Sequence, residues 1–237
     1  MPASTAAIVV AAGSGVRMGA SVPKALVRLA GSPMLAWSLA ALRASPGVGA
    51  LVVVAPADRL GEVEAIAGEG AGAAIVVAGG ASRSESVAAG LEAVPPGSAV
   101  VLVHDAARPL LTPAIVAAVV GAVAGADGAI AARPVADTLK RADGAGEPSI
   151  AATVDRAPLW AAETPQAFPV EVLRRAVAAA RAEGRLEAAT DCASLVEAVG
   201  GRVRLVATPG PNLKVTTPAD LALAEHLLRG ARDAELL

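Results

Sequence analysis

Short runs of Val, Ile, Leu and Ala recur along the chain at residues 6–11, 50–55, 74–78, 99–103, 128–132, 203–207 and 212–215. The first five are continuously apolar rather than alternating, the pattern of a strand buried on both faces of a parallel sheet, and the last two keep it around Arg204, Asn212 and Lys214. Helix starts punctuate the intervals. Ser32-Pro33, Thr112-Pro113 and Thr217-Pro218 each place a capping hydroxyl before a proline suited to a first turn. Ser82 and Glu85 have the spacing of a capping box. This alternation predicts an α/β fold, a Rossmann-like and mostly parallel sheet with helices on both faces, whose ligand crevice opens at the carboxyl ends of the strands. Functional residues are therefore expected in the loops that follow strands.

Residues 137–164 break the rhythm. Two short runs, 138–141 and 150–154, flank the turn chemistry of Asp143-Gly144-Ala145-Gly146, which is a hairpin signal. An excursion of this length is expected to be functional. The chain thus reads as one domain over residues 1–237, with 137–164 as a protruding arm that docks on another subunit and makes a homodimer.

Composition narrows the class. The 237 residues are 54% hydrophobic but only 1% aromatic, so the core must be built from Ala, Val, Leu and Ile. The mean hydropathy of +0.57 raises a membrane question, most acutely over residues 109–126, which carry no charge. That stretch is rich in Ala and Gly and contains Thr112-Pro113, short of the ~20 strongly apolar residues of a spanning helix. It reads as a buried helix of a soluble protein without membrane partners. No basic residue precedes Arg17, so the N-terminus lacks the charged region of a secretion signal, and a cytoplasmic location is expected. A single cysteine, Cys192, excludes an internal disulfide framework and a cysteine metal cluster, and reads as a small core thiol. With 20 Lys and Arg against 22 Asp and Glu, no basic face is expected for nucleic acid.

Four segments carry candidate chemistry. The first apolar run enters Ala11-Ala12-Gly13-Ser14-Gly15-Val16-Arg17-Met18-Gly19, followed by Pro23-Lys24. A glycine-rich turn after the first strand lets backbone amides approach phosphates. It is not the dinucleotide fingerprint, because the third glycine falls at Gly19 instead of position 18. It is not a Walker loop, because Ala25 follows Lys24. What remains is a phosphate loop with two cations, Arg17 and Lys24. The second segment, Val103-His104-Asp105-Ala106-Ala107-Arg108-Pro109, delivers an acid able to hold Mg²⁺ against nucleotide phosphates, with Arg108 facing the same anions. His104 reads as a satisfied structural residue, and His226 as surface or packing. The third, Gly79-Gly80 through Ser86-Val87, is again strand, glycine turn and helix, able to hold a base or merely to cap. The fourth sets Lys214 in an apolar run, unfavourable unless it meets an anion or snorkels to solvent. Cations gathered around one acid suit Mg²⁺-assisted transfer between two phosphate compounds. An attacking phosphate is ionised near neutral pH and needs no general base.

These blocks resemble the 2-C-methyl-D-erythritol 4-phosphate cytidylyltransferase family. The resemblance spans nearly the whole chain through AAGSGVRMG and PK at 23–24, GG at 79–80, SV at 86–87, VHDAARP at 103–109 and PVADTLKR at 134–141. It continues in TVDR at 153–156, TPQAF at 164–168, TD at 190–191 and NLKVTTPADLALAE at 212–225. The resemblance implies a nucleotidyltransferase-type fold and a transfer of CMP from CTP to 2-C-methyl-D-erythritol 4-phosphate with Mg²⁺. It implies a nucleotide site of Ala11, Ala12, Gly13, Gly15, Gly80, Ser86, Asp105, Ala106 and Arg108, with Asp105 also on the metal. It further implies a sugar-alcohol phosphate held by Thr138, Arg156, Thr164, Thr190 and Lys214, Arg156 reaching across from the second subunit. Arg17, Lys24 and Lys214 would be the catalytic cations. A sister activity, ribitol 5-phosphate cytidylyltransfer, differs only in the acceptor pocket. A noncatalytic nucleotide sensor would retain the glycine loop but could lose Lys24, Asp105 or Lys214.

Overall fold

The computed structural model describes residues 4–13, 22–70, 72–144, 147–208 and 210–233. Gly15 and Arg17 of the expected phosphate loop lie outside them. Seven strands form the main sheet in the order β11-β7-β10-β6-β1-β4-β5. They are β1 (Thr5–Val10), β4 (Val48–Ala55), β5 (Ala74–Ala78), β6 (Val100–Asp105), β7 (Gly128–Pro134), β10 (Trp160–Pro169) and β11 (Val203–Ala207). Parallel pairing joins β1 to β4 and β6, β4 to β5, and β7 to β11. β10 runs antiparallel between β6 and β7.

The layers follow from the sequence. Along β1, Ala7 and Val9 pack with α1 (Met34–Arg43), α2 (Leu60–Gly68) and α4 (Pro113–Gly121), while Ala6 and Ile8 face α3 (Arg83–Glu92), α5 (Val170–Ala182) and α6 (Cys192–Ala198). A strand whose two side-chain sets are both apolar can be covered on both faces. The one phenylalanine, Phe168, is fully buried on β10. Gly128 makes room for it: a Cβ there would lie 2.4 Å from the ring. A smaller core under α7 (Pro218–Asp233) includes Met34, Leu110, Val215 and Leu228. No described helix is long and apolar enough to cross a membrane.

The helix starts divide. Ser82 and Glu85 form the expected capping box on α3, and Thr112 caps α4 with Pro113 in its first turn. Thr217 Oγ1 accepts from the Asp220 amide at the start of α7. Ser32 does not cap. It pairs in a small hairpin of β2 (Arg28–Leu29) and β3 (Ser32–Pro33), and α1 begins after it without a side-chain cap.

Two elements differ from the sequence expectation. Residues 212–215 are not a strand. The Val215 amide bonds to the Ala107 carbonyl at 2.8 Å, which lays the segment across the crevice instead of along the sheet. The 137–164 excursion splits. β8 (Leu139–Ala142) and β9 (Ile150–Val154) make the expected antiparallel hairpin as a separate two-stranded sheet, whereas the chain from Trp160 onward enters the main sheet as β10. That strand escapes the pattern because Glu163, Thr164 and Pro165 interrupt its apolar run.

Candidate active site

The order β5-β4-β1-β6 places a switch point between β1 and β6, where successive crossovers leave in opposite directions and a crevice opens. Val10 and Asp105 are register partners at the carboxyl ends of those two strands. The loop of Ala11, Ala12 and Gly13 therefore starts beside Asp105. Asp105 is the last residue of its strand, and Ala106 beyond it is buried.

A cavity of about 230 Å³ opens at this point. Of the residues singled out from sequence, it brings together Asp105, Arg108, Thr164, Thr190 and Lys214. The Asp105 carboxylate is bracketed by two cations. One oxygen accepts from Arg83 Nε at 3.0 Å and Nη2 at 2.8 Å, and the other from Lys214 Nζ at 2.7 Å. Burial by itself would raise the Asp105 pKa, but Arg83 and then Lys214 outweigh it and hold the carboxyl well below the usual range. Burial likewise works against the Arg83 charge, and Asp105 more than offsets it.

Beneath the carboxylate lies a fully bonded histidine. Thr164 Oγ1 accepts from the Asp105 amide at 3.1 Å and lies 3.3 Å from His104 Nδ1. His104 Nε2 lies 3.1 Å from the Arg108 carbonyl oxygen, which can only accept. The network therefore assigns the neutral tautomer: Nε2–H donates to the carbonyl, and Nδ1 accepts from the Thr164 hydroxyl. Burial pushes the His104 pKa from 6.5 down to about 4. The ring is structural, as its place in the sequence suggests, and His226 is exposed.

Arg108 lies against the protein more than against open space. Its Nη1 donates to the Asn212 carbonyl at 2.6 Å and lies 3.8 Å from Glu163. Burial lowers its pKa, against the pull of Glu163 and Asp105. Cys192 is a buried core thiol, its pKa raised to about 11 by burial against the attraction of Arg83.

The glycine turn after β5 is shaped by contact. A Cβ on Gly79 would lie 2.6 Å from Ala12 Cβ and 2.8 Å from Ser86 Oγ. The Ser86 hydroxyl accepts from the Gly80 amide at 3.2 Å and donates to the Ser82 carbonyl at 2.9 Å, so it draws the turn onto α3. Lys24 is half-buried in a 3-10 turn, Lys24–Leu26. Thr138 and Arg156 are exposed beside the hairpin and do not line this cavity; Arg156 donates to the Ala136 carbonyl.

Sequence reading missed Arg83, Glu163, Gln166, Asp191 and Asn212. The missed signal for Arg83 was its place in the first turn of a capped helix behind a glycine turn, which aims a side chain at the strand ends. Gln166 Nε2 donates to Asp191 at 3.0 Å, and Asp191 caps α6, which sets Thr190 at the cavity rim.

Among the described residues, no three His, Cys, Asp or Glu side chains gather to cage a metal ion. Mg²⁺ bound mainly by waters and substrate phosphates needs only one or two carboxylates. Asp105 fits that mode of binding through Oδ2, which keeps one lone pair beside Lys214, Oδ1 being taken by the two Arg83 donors.

Comparison with known proteins bears on this site. Residues 5–230 match the model of the 2-C-methyl-D-erythritol 4-phosphate cytidylyltransferase family. The proteins of that name from Saccharopolyspora erythraea and Streptomyces avermitilis are 47% and 46% identical to this chain. The first match covers 95% of this chain and 99% of that protein, the second 97% and 94%. The crystal structure of the enzyme of that name from Thermus thermophilus superposes with a TM-score of 0.77 at 36% identity, covering 97% of this chain and all of that one.

Proposed function

Because this chain belongs to the 2-C-methyl-D-erythritol 4-phosphate cytidylyltransferase family, we propose that it transfers CMP from CTP to 2-C-methyl-D-erythritol 4-phosphate. The products are 4-diphosphocytidyl-2-C-methyl-D-erythritol and pyrophosphate. The observation that carries the reading is the cavity wall at the switch point, where Asp105 stands between Arg83 and Lys214 with Thr164 and Thr190 beside it.

In this reading the triphosphate lies along the loop of Ala11, Ala12, Gly13 and Gly15, with Arg17 and Lys24 against its oxygens. The base rests on the turn at Gly80 that Ser86 shapes, and Ala106 and Arg108 close the far side. The acceptor phosphate sits against Thr190 and Lys214, with Thr164 behind them in the wall, its hydroxyl hydrogen committed to His104. One of its oxygens attacks the α-phosphorus of CTP in line. A new phosphorus–oxygen bond forms, the bond to the β-phosphate oxygen breaks, and pyrophosphate leaves. The attacking phosphate is already ionised at neutral pH, which agrees with a site whose only histidine is locked neutral. Mg²⁺, held by Asp105 together with the phosphates, would supply charge neutralisation when bound. Lys24 and Lys214 would stabilise the charge that grows on the transferring group.

Thr138 and Arg156 complete the acceptor site only if the hairpin reaches a neighbouring subunit, so the reading includes a homodimer. Ile150, 68% exposed on β9, supports a face of the hairpin that is covered in the assembly.

The test is pyrophosphate release with Mg²⁺ and CTP, offering 2-C-methyl-D-erythritol 4-phosphate and ribitol 5-phosphate in parallel, each also with UTP and GTP. Turnover with the first acceptor and CTP is expected. Turnover with ribitol 5-phosphate alone would overturn the acceptor, and silence with every pair would overturn the transfer itself.

A further inference from the structure

Lys214 lies in a segment without ladder hydrogen bonds, so something else must hold it. One anchor is the Val215 amide on the Ala107 carbonyl. On the far side the Thr216 hydroxyl donates to the Lys214 carbonyl at 3.1 Å and the Thr216 amide to Asp220 at 2.8 Å; on the near side the anchor is Asn212, two residues before the lysine. Its Nδ2 donates to Glu163 Oε2 at 2.8 Å and to the Thr164 carbonyl at 2.9 Å, and its own carbonyl accepts from Arg108 at 2.6 Å. Glu163 is presented by an irregularity in β10. Between Ala162 and Gln166 the register against β7 advances by only two residues, from Ala132 to Ile130, so 163–165 bulge toward the cavity. The Glu163 side chain is only 5% exposed, and its other oxygen faces Arg133 Nε at 3.3 Å and Arg108 Nη1 at 3.8 Å. A buried carboxylate survives by such pairing.

The geometry points to Glu163 as a positioning residue for group transfer: through Asn212 it clamps the 212–215 segment so that the Lys214 ammonium stands at Asp105. The inference rests on the transfer reading only for its kinetic consequence, because the clamp is made entirely by this chain's own residues. Glu163 touches none of the reacting atoms. It acts through the hydrogen bond to Asn212, so a neutral acceptor of the same shape should do most of the same work, and an apolar side chain should not.

The chain has three lysines, Lys24, Lys140 and Lys214, which makes amine labelling a direct readout. Brief acetic anhydride treatment followed by mass spectrometry would measure Lys214 acetylation against Lys140, which is remote in the hairpin and donates to Thr153. In Glu163→Leu the Lys214 labelling should rise roughly threefold or more as its contact with Asp105 loosens, and in Glu163→Gln it should stay close to wild type. In the transfer assay, Glu163→Leu should lower kcat by about tenfold or more with the KM for CTP within about twofold, since a misplaced group is felt in the chemical step. Glu163→Gln should recover most of that loss. In a Lys214→Ala background the Leu substitution should have little further effect, because both changes would remove one function. Should Glu163→Leu fail to fold, Asn212→Ala breaks the same bond from the other side and is read by the same measurements.

Unchanged Lys214 labelling in a folded Glu163→Leu or Asn212→Ala protein would overturn the clamp. So would an equal loss of kcat with and without Lys214, or a Glu163→Gln variant as impaired as Glu163→Leu. A wild-type protein inert toward every substrate pair would overturn the transfer reading and leave the labelling result to decide the clamp.

Discussion

Acid should weaken this fold through His104, and the size of the effect follows from its surroundings. The ring is fully buried, donates through Nε2 to the Arg108 carbonyl and accepts at Nδ1 from Thr164. Protonation would add a charge in a dry site and remove the acceptor that Thr164 uses; Asp105 next to the ring favours that charge and Arg108 and Arg83 oppose it, but the cost of burial outweighs them. Burial accordingly lowers the pKa from 6.5 to about 4. At about 1.4 kcal/mol for each tenfold in proton affinity, the neutral ring contributes about 3 kcal/mol. Between about pH 6.5 and 4 the unfolded chain binds a proton that the folded chain refuses. That stability is therefore whole above pH 6.5 and is lost as the pH falls through this window. For a chain of this length the loss corresponds to a fall in Tm of about 6–12 °C. Thermal unfolding followed by circular dichroism at pH 7.5 and 4.5 would measure it, with His104→Gln as the reference for all other titrating groups. The variant should be less stable at pH 7.5 and lose less on acidification. Parallel losses of Tm in the two proteins would refute the assignment of a neutral, doubly bonded ring.

Removing either proposed catalytic amine, by Lys24→Ala or Lys214→Ala, should lower kcat by about 10²–10³; near-normal turnover in a folded variant would remove that lysine from the mechanism. Gly79→Ala should destabilise the protein by about 1–3 kcal/mol through overpacking and raise the KM for CTP, because the added carbon meets Ala12 and Ser86; calorimetry and initial rates check both parts. Asp105→Asn, which leaves Arg83 and Lys214 without their shared carboxylate, should lower Tm by about 2–8 °C, the buried-pair penalty being reduced because both cations are partly exposed. Mixing inactive Arg156→Ala and Asp105→Ala subunits should restore part of the activity by forming dimers with one intact site, and verified heterodimers without activity would count against a shared site.

Local pattern in the sequence determined much of this protein. Runs of Val, Ile and Ala mark six of the seven main strands; in the inner ones a strand covered on both faces has no polar side to show, while the edge strands β5 and β11 keep the pattern with Ile75 and Leu205 partly exposed. The Ser82-Glu85 box and Thr112-Pro113 mark helix starts because caps are short-range chemistry. Asp105, Thr164, Thr190 and Lys214 were legible as blocks, and the structure gathers them at one cavity. What depended on distant pairing was not legible. β10 is interrupted by Glu163-Thr164-Pro165, and its insertion between β6 and β7 is decided by partners 26 to 69 positions away. Residues 212–215 look like a strand, yet their hydrogen bonds go to Ala107 and Glu163 instead of to a sheet neighbour. Arg83 looks like part of a helix cap until β6 brings Asp105 to it across 22 positions, and Lys214 reaches the same carboxylate across 109. Composition and periodicity report how much of each segment is buried, but a buried charge is set by the group it meets, and only the folded chain decides which groups meet.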